Sequence, residues 1–313
     1  MISIIIPIYN EKDVIPKLYK RLGQTLDQLT MPYEVIYIND GSKDNSLELL
    51  NEIHTKDPKH KVITFSKNFG HQAAISAGLD FANGDAIIMM DADLQDPPEL
   101  ILDFIQKWKK GYHVVYGVRK KRDGETFFKR ITASLFYKLI NKISHIHIPY
   151  QAGDFRLLDR KVVKSILSLK ERNRFLRGMV SWVGFNQIGV PFDRETRAAG
   201  TTKYPFYKML RLALDAICSF SIRPLRIATY VGFITAGISF LVLMWTLVEK
   251  IFFESTIQGW TSIMIAVLFL GGIQLITIGI LGEYVGRTYE EVKNRPIYIV
   301  RESRGFNDRQ IYG

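Results

Sequence analysis

The sequence predicts an α/β domain built on a doubly wound, mostly parallel sheet, followed by a two-helix membrane hairpin. Three observations predict it. Apolar runs alternate with helical patterns along the first part of the chain. Polar clusters recur where each apolar run ends. Two long stretches nearer the C-terminal end, Ile227 to Val248 and Ser255 to Gly282, carry no charged residue.

Taken in order, "ISIIIPIY" is a strand and "EKDVIPKLYKRLGQTL" an amphipathic helix. "YEVIYIND" is a second strand closed by "DGS", and "NSLELLNEIHTK" the next helix. "KVITFS" is a third strand, followed by the helical "QAAISAGLDFA" and a fourth strand, "DAIIMMDAD". "MISIIIPIYNE" lacks a basic region and has only a short apolar run, so it reads as a buried first strand, not a signal peptide. In such sheets ligands bind outside the carboxyl ends of the strands. The clusters Tyr9 to Glu11, Asn39 to Ser42, Lys67 to Gln72 and Asp91 to Asp96 converge on that edge and suggest a nucleotide crevice. Neither GxGxxG after the first strand nor GxxxxGK[ST] is present, which argues against a dinucleotide site or a P-loop.

Each uncharged stretch can span a hydrocarbon core, which needs about 20 helical residues. Two side by side, each without a polar face, fit a buried soluble helix poorly. Arg223 and Arg226 precede the pair, and Arg287, Lys293 and Arg295 follow it, while Glu249, Lys250 and Glu254 lie between. The positive-inside rule then places both chain ends in the cytoplasm. Gly232, Gly237, Gly271, Gly272 and Gly279 would let the helices approach closely. Between domain and spans, residues 204–226 read as an interfacial amphipathic segment, with Lys208, Arg211, Asp215 and Ser219 as a narrow polar stripe. After the spans, "PIYIVRE" reads as a strand that pairs with an edge of the sheet, in its own chain or a neighbour. The domains are thus residues 1–203, 204–226, 227–286 and 287–313. One cysteine, Cys218, excludes an intramolecular disulfide. The net charge of +11 suits an anionic membrane or phosphorylated substrates. No RNA- or DNA-binding module accompanies it.

The stretch "MMDADLQD" carries the chemistry. Asp91 and Asp93 stand two apart at a strand end, so both can face one way. With the Gln95 amide they offer hard oxygen ligands suited to Mg²⁺ or Mn²⁺, which would leave open positions for a substrate diphosphate. Asp96, before Pro-Pro-Glu, has the pattern of a helix N-cap.

"SIIIPIYNE", "VIYINDGSKDNS", "FSKNFGHQAAISAGL" and "MMDADLQDPPE" resemble family 2 glycosyltransferases of the GT-A fold. The resemblance continues through "YGVRKKRDGE", "AGDFRLLDRKV", "FLRGMVSWVGF" and "RAAGTTKYPFYKML". With two C-terminal spans it resembles polyprenyl-phosphate glycosyltransferases, the group of GtrB-type glucosyltransferases and dolichyl-phosphate mannosyltransferases. It implies transfer of a sugar, with inversion, from a nucleotide-sugar to a polyprenyl phosphate at the cytoplasmic face of the plasma membrane. UDP-glucose is the expected donor, with GDP-mannose or another UDP-sugar as the alternative, and the expected assembly is a homo-oligomer such as a tetramer. The resemblance puts Pro7, Tyr9, Glu11, Asp40, Lys67, Gln72 and Asp91 on the nucleotide-sugar, and Asp91, Asp93 and Gln95 on the metal. Arg119 and Arg130 would bind the acceptor phosphate, with Arg197 and Lys203 closing over the phosphates. Lys120, Lys121 and Arg122 read as a general basic surface.

Asp154 matches the family's site aspartate, either as a base or as a group that orients the acceptor; a salt bridge to Arg156 or Arg160 is the structural alternative. A phosphate monoester has its second pKa near about 6 and can attack without losing a proton to the enzyme. Asp159 fits a helix start better than a site. A processive polysaccharide synthase would carry QxxRW, which is absent, and a non-catalytic scaffold or lipid carrier would not need the Asp91–Asp93 pair.

Overall fold

A computed structural model of the chain describes residues 1–119, 152–172, 174–193, 195, 221–253 and 259–306. Its backbone falls into two compact units. One holds the residues up to Lys142, Ile146–Ala213 and Arg295–Gly313; the other holds Ile143–His145 and Leu214–Asn294.

The first unit is a sheet with helices on both faces. Its strands are β1 (Ile2–Ile8), β2 (Tyr33–Asn39), β3 (His60–Phe65), β4 (Ala86–Met89), β5 (Val114–Arg119), β6 (Ala152–Asp159), β7 (Gln187–Phe192) and β8 (Val300–Arg304). They lie in the order β7-β5-β6-β4-β1-β2-β3-β8. The pairs β1–β2, β1–β4, β2–β3 and β5–β7 are parallel, while β4–β6, β5–β6 and β3–β8 are antiparallel. The helices are α1 (Ile15–Leu26), α2 (Ser46–Lys56), α3 (His71–Phe81), α4 (Leu100–Lys109), α5 (Arg160–Ser168) and α6 (Leu176–Trp182). Period-two alternation splits β1 between the layers. Ile2, Ile4, Ile6 and Ile8 join Leu18, Leu22, Leu50 and Phe104 in one core under α1, α2 and α4. Ile5 faces α3, so close that a Cβ on Gly78 would lie inside it.

Two helices begin later than their patterns suggest. The helix expected from Glu11 starts at Ile15, because Pro16 belongs in a first turn, where its missing N–H costs nothing. The helix expected to be capped by Asp96 starts at Leu100, after the Pro97 and Pro98 turn, with Glu99 as its N-cap. Asp96 is therefore not the cap. Asp159 does cap α5, accepting from the Lys161 N–H at 2.9 Å.

β8 pairs antiparallel with β3 of the same chain. The approach to it is fixed by Tyr298, which stacks on Phe65 with ring centroids 5.1 Å apart and donates to Asp80 at 2.7 Å.

The second unit contains α7 (Arg223–Phe253) and α8 (Trp260–Val292), which pack on one another. Within them Arg223–Val242 and Phe269–Val292 are long and apolar enough to cross a membrane. Glu249 and Lys250 belong to the last turns of α7, not to the connection, because the helix runs on to Phe253. Among the described residues, a Cβ added to Gly232, Gly237, Gly271, Gly272 or Gly279 would meet nothing within 4 Å, so the close approach expected of these glycines is not made there. Large apolar side chains such as Phe233, Leu275 and Trp245 point outward, the pattern of a lipid-facing surface.

Candidate active site

The first wall of the site is the joint between the ends of β1 and β2. The Asn10 N–H donates to Ser42 Oγ at 3.0 Å, and the Lys43 N–H to Asn10 Oδ1 at 2.8 Å. The Glu11 N–H donates to Ser46 Oγ at 3.0 Å. "PIYNE" and "NDGS" thus form one locked rim, with the Tyr9 ring exposed on it and Pro7 half-buried opposite Ile38. Gly41 has φ +66°, and a Cβ there would sit 2.6 Å from the Lys67 carbonyl carbon. Only glycine lets the end of β2 touch the loop that follows β3. Asp40 fixes the same loop. It is buried and accepts from Phe69 N–H (2.6 Å), Gly70 N–H (3.0 Å) and Asn68 Nδ2 (2.9 Å). Burial raises the Asp40 pKa despite these donors. Lys67 lies exposed on the loop with its ammonium over the Phe69 ring.

The second wall follows β4. The strand stops at Met89, short of the aspartates, yet the alternation continues: Asp91, Asp93 and Gln95 are half-buried, while Ala92, Leu94 and Asp96 are buried. The three candidate ligands are thus the partly exposed residues of this segment, although they lie on a turn and not on the strand end from which Asp91 and Asp93 were expected to face one way. The turn is strained. Leu94 has φ +57°, a left-handed conformation that costs a non-glycine residue about 1–3 kcal/mol. Asp93 Oδ1 accepts from the Gln95 N–H at 3.1 Å across it.

Facing this turn is a cluster on which sequence reasoning placed only Asp154. His71, the first residue of α3, brings Nε2 to 3.5 Å from Asp91 Oδ1 and 3.7 Å from Asp154 Oδ2. Arg177 on α6 grips Asp154 with two bonds, Nε to Oδ1 at 2.7 Å and Nη2 to Oδ2 at 2.8 Å. Neither Arg156 nor Arg160 is the partner: Arg156 donates to the Gly153 carbonyl, and Arg160 to the carbonyls of Ala82 and Gly84. Gln72 explains how Arg177 reaches the site. Its Oε1 accepts from the Leu176 N–H at 3.2 Å and ties the start of α3 to the start of α6.

The charges are interdependent. Burial alone would raise the Asp154 pKa, but Arg177 and His71 hold it well below the usual carboxylate range. Burial raises Asp91, and the nearby Asp154 and Asp93 add to that, with His71 and Arg177 opposing. Burial opposes protonation of His71, and the two carboxylates outweigh it.

Arg119, at the end of β5, is mostly buried. Its Nη2 lies 3.7 Å from Asp96 Oδ1 and its guanidinium covers Gly153. Arg130, Arg197 and Lys203 lie outside the described residues, as do Lys120, Lys121, Arg122 and most of the interfacial segment. Among the described residues no group of three His, Cys, Asp or Glu side chains forms a metal cage. A divalent ion that uses one or two carboxylates and completes its shell with substrate phosphates does not need one. The mutual repulsion of Asp91, Asp93 and Asp154 is what such a cation would relieve.

The profile of glycosyl transferase family 2 matches residues 3–167, more than half of the chain. The chain belongs to this family. This transferase also matches the GtrB C-terminal hairpin over residues 223–288, which marks it as membrane-associated. It is 52% identical to the uncharacterized glycosyltransferase YkcC of Bacillus subtilis over 310 residues, covering 99% of this chain and 96% of the relative. It is 45% identical to the SfII prophage-derived bactoprenol glucosyl transferase of Shigella flexneri, over 98% of this chain and 99% of the relative. Among solved structures, mannosyl-3-phosphoglycerate synthase from Rubrobacter xylanophilus superposes with a TM-score of 0.50 at 15% identity, covering 72% of the transferase and 74% of that chain. That likeness shows the GT-A fold. The transferase is therefore a GT-A enzyme with a C-terminal hairpin, as its strand order and two apolar helices indicated.

Proposed function

We propose that the enzyme transfers glucose from UDP-glucose to the phosphate of a polyprenyl phosphate such as undecaprenyl phosphate. The observation that carries this reading is the near end-to-end alignment, hairpin included, with a relative named as a bactoprenol glucosyl transferase. In this reading the β1–β2 rim and the loop pinned by Asp40 receive the nucleotide, with Pro7, Tyr9, Glu11 and Lys67 around it. Asp40 and Gln72 serve the donor site mainly by shaping it, since both are engaged by neighbouring backbone.

Asp91, Asp93 and Gln95 would hold Mg²⁺ or Mn²⁺. Such an ion supplies neutralisation of the charge that develops on the leaving diphosphate. The acceptor phosphate oxygen attacks the anomeric carbon, a C–O bond forms there, and the bond to the UDP oxygen breaks with inversion. No proton need be removed from an ionised phosphate. Asp154, whose pKa Arg177 and His71 hold low, is a weak base, so we assign it to orienting the acceptor side of the site. Arg119, Arg130, Arg197 and Lys203 would bind the acceptor phosphate, for which arginine forks are well matched. The basic residues at the ends of the hairpin, Arg223 and Arg226 in the first turn of α7 and Lys293 and Arg295 after α8, support a cytoplasmic catalytic domain with both chain ends on that side. The test is incubation with a panel of nucleotide-sugars and undecaprenyl phosphate, with mass spectrometry of the lipid. A hexose adduct from UDP-glucose supports the reading; an adduct formed only from another donor replaces glucose.

A further inference from the structure

The strained turn at Leu94 is buttressed by a residue outside the site. Arg21 projects from α1 between Leu18 and Leu22, both fully buried, so its backbone is fixed. Its guanidinium spans two carboxylates. Nε and Nη2 donate to the two oxygens of Glu99 at 2.8 Å each, and Nη1 and Nη2 to those of Glu195 at 2.7 and 2.6 Å. Glu99 stands at the start of α4, immediately downstream of the turn. Glu195 follows β7, and its N–H donates to the Gln95 carbonyl at 3.1 Å. Arg21 therefore joins three elements of distant sequence around one five-residue segment.

An isolated surface ion pair contributes little, but a double bidentate fork on a rigid helix is the geometry in which such pairs do matter. A left-handed non-glycine residue persists only where its surroundings over-determine it. The Glu195–Gln95 bond and the Glu99 anchor supply that constraint from outside the site.

We infer that Arg21 is a positioning residue for the Asp91–Gln95 turn: by clamping Glu99 and Glu195 it holds the turn in the shape that presents its oxygens to a divalent cation. The inference rests on the reading of that turn as the metal site, and the experiment separates the two. Full-length Arg21→Gln, Arg21→Lys and Glu195→Gln proteins in detergent are compared with wild type in two measurements. The first is hydrogen exchange of peptides covering Gln95 and Glu195, without metal. The second is Mn²⁺ titration followed by electron paramagnetic resonance with UDP present.

Arg21→Gln is expected to speed exchange at both peptides and to weaken Mn²⁺ binding by about 3–10-fold, less than the roughly 10–100-fold lost with a metal ligand's own hydrogen-bond partner. Arg21→Lys, which cannot fork to four oxygens, should fall between it and wild type, and Glu195→Gln should change both readouts in the same direction. Unchanged exchange overturns the clamp. Faster exchange with wild-type Mn²⁺ affinity leaves Arg21 a surface brace and overturns its positioning role. Absence of Mn²⁺ binding in wild type overturns the metal site itself, and the positioning role with it.

Discussion

Replacing Arg177 by glutamine tests whether the position of Asp154 matters to the reaction. The change removes two charge-assisted bonds, at 2.7 and 2.8 Å, from a carboxylate whose side chain is only 13% exposed. Each such bond is worth about 1.5–3 kcal/mol net. Two discounts apply: the arginine is itself 27% exposed, and His71 remains 3.7 Å from the same carboxylate. A loss of about 2–3 kcal/mol of transition-state stabilisation is expected, which is roughly a 30- to 150-fold fall in turnover. The assay is transfer of radiolabelled glucose into lipid by the protein in nanodiscs, with UDP binding measured by calorimetry on the same preparations. UDP affinity should stay near wild type, because the carboxylate that Arg177 grips, Asp154, belongs to β6 and not to the β1–β2 rim or the Lys67–Gly70 loop. Lysine should restore only part of the rate, since it lacks the planar fork. Turnover of Arg177→Gln within about threefold of wild type, a change worth less than 1 kcal/mol, would show that the grip on Asp154 does not govern the reaction.

The remaining predictions concern metal, acceptor and stability. Asp93→Ala should abolish transfer while the protein still inserts into membranes, and chelation of wild type should do the same; turnover without divalent ions would contradict the metal assignment. Arg130→Ala should raise the apparent Michaelis constant for polyprenyl phosphate by the equivalent of roughly 1.5–3 kcal/mol and leave that for the nucleotide-sugar unchanged; loss of nucleotide affinity instead would move Arg130 to the donor side. His60 is buried, and burial pushes its pKa down to about 4. The unfolded chain binds the proton first as pH falls, so the stability His60 contributes is complete above about 6.5 and lost on the way down to about 4, up to roughly 3 kcal/mol. Thermal melts across that range should show a shallower pH slope in His60→Gln; equal slopes would refute the account.

The parallel half of the sheet was legible in the sequence because β1 to β4 are nearly unbroken apolar runs, separated by helices with clear periodicity. β6 and β7 were not read as strands. Asp154 and Arg156 interrupt the first, and Gly189 and Pro191 the second. In β6 one of the interruptions, Asp154, belongs to the site, so a residue that carries the chemistry also erases the pattern. The same logic hid His71 and Arg177. Each lies in a stretch carrying the family resemblance, but a lone histidine at a helix start and a lone arginine on a short helix have no local signal. Their meaning comes from the fold, which sets Asp91, His71, Asp154 and Arg177 side by side although they come from four separate elements. The partner of Asp154 comes not from its own segment "AGDFRLLDR" but from α6, as the arginine of "FLRGMVSW".

In the proposed reaction glucose leaves UDP for a lipid phosphate and not for water or a sugar hydroxyl. The direct measurement is a purified-enzyme reaction with UDP-glucose labelled in the sugar, Mn²⁺ and undecaprenyl phosphate, with the products separated into lipid and aqueous phases. Label is expected in the lipid phase as a single glucosyl phosphodiester, formed only when the phosphate is present and absent with undecaprenol. Label that stays in the aqueous phase as free glucose, or lipid labelling that proceeds equally well with undecaprenol, would contradict it.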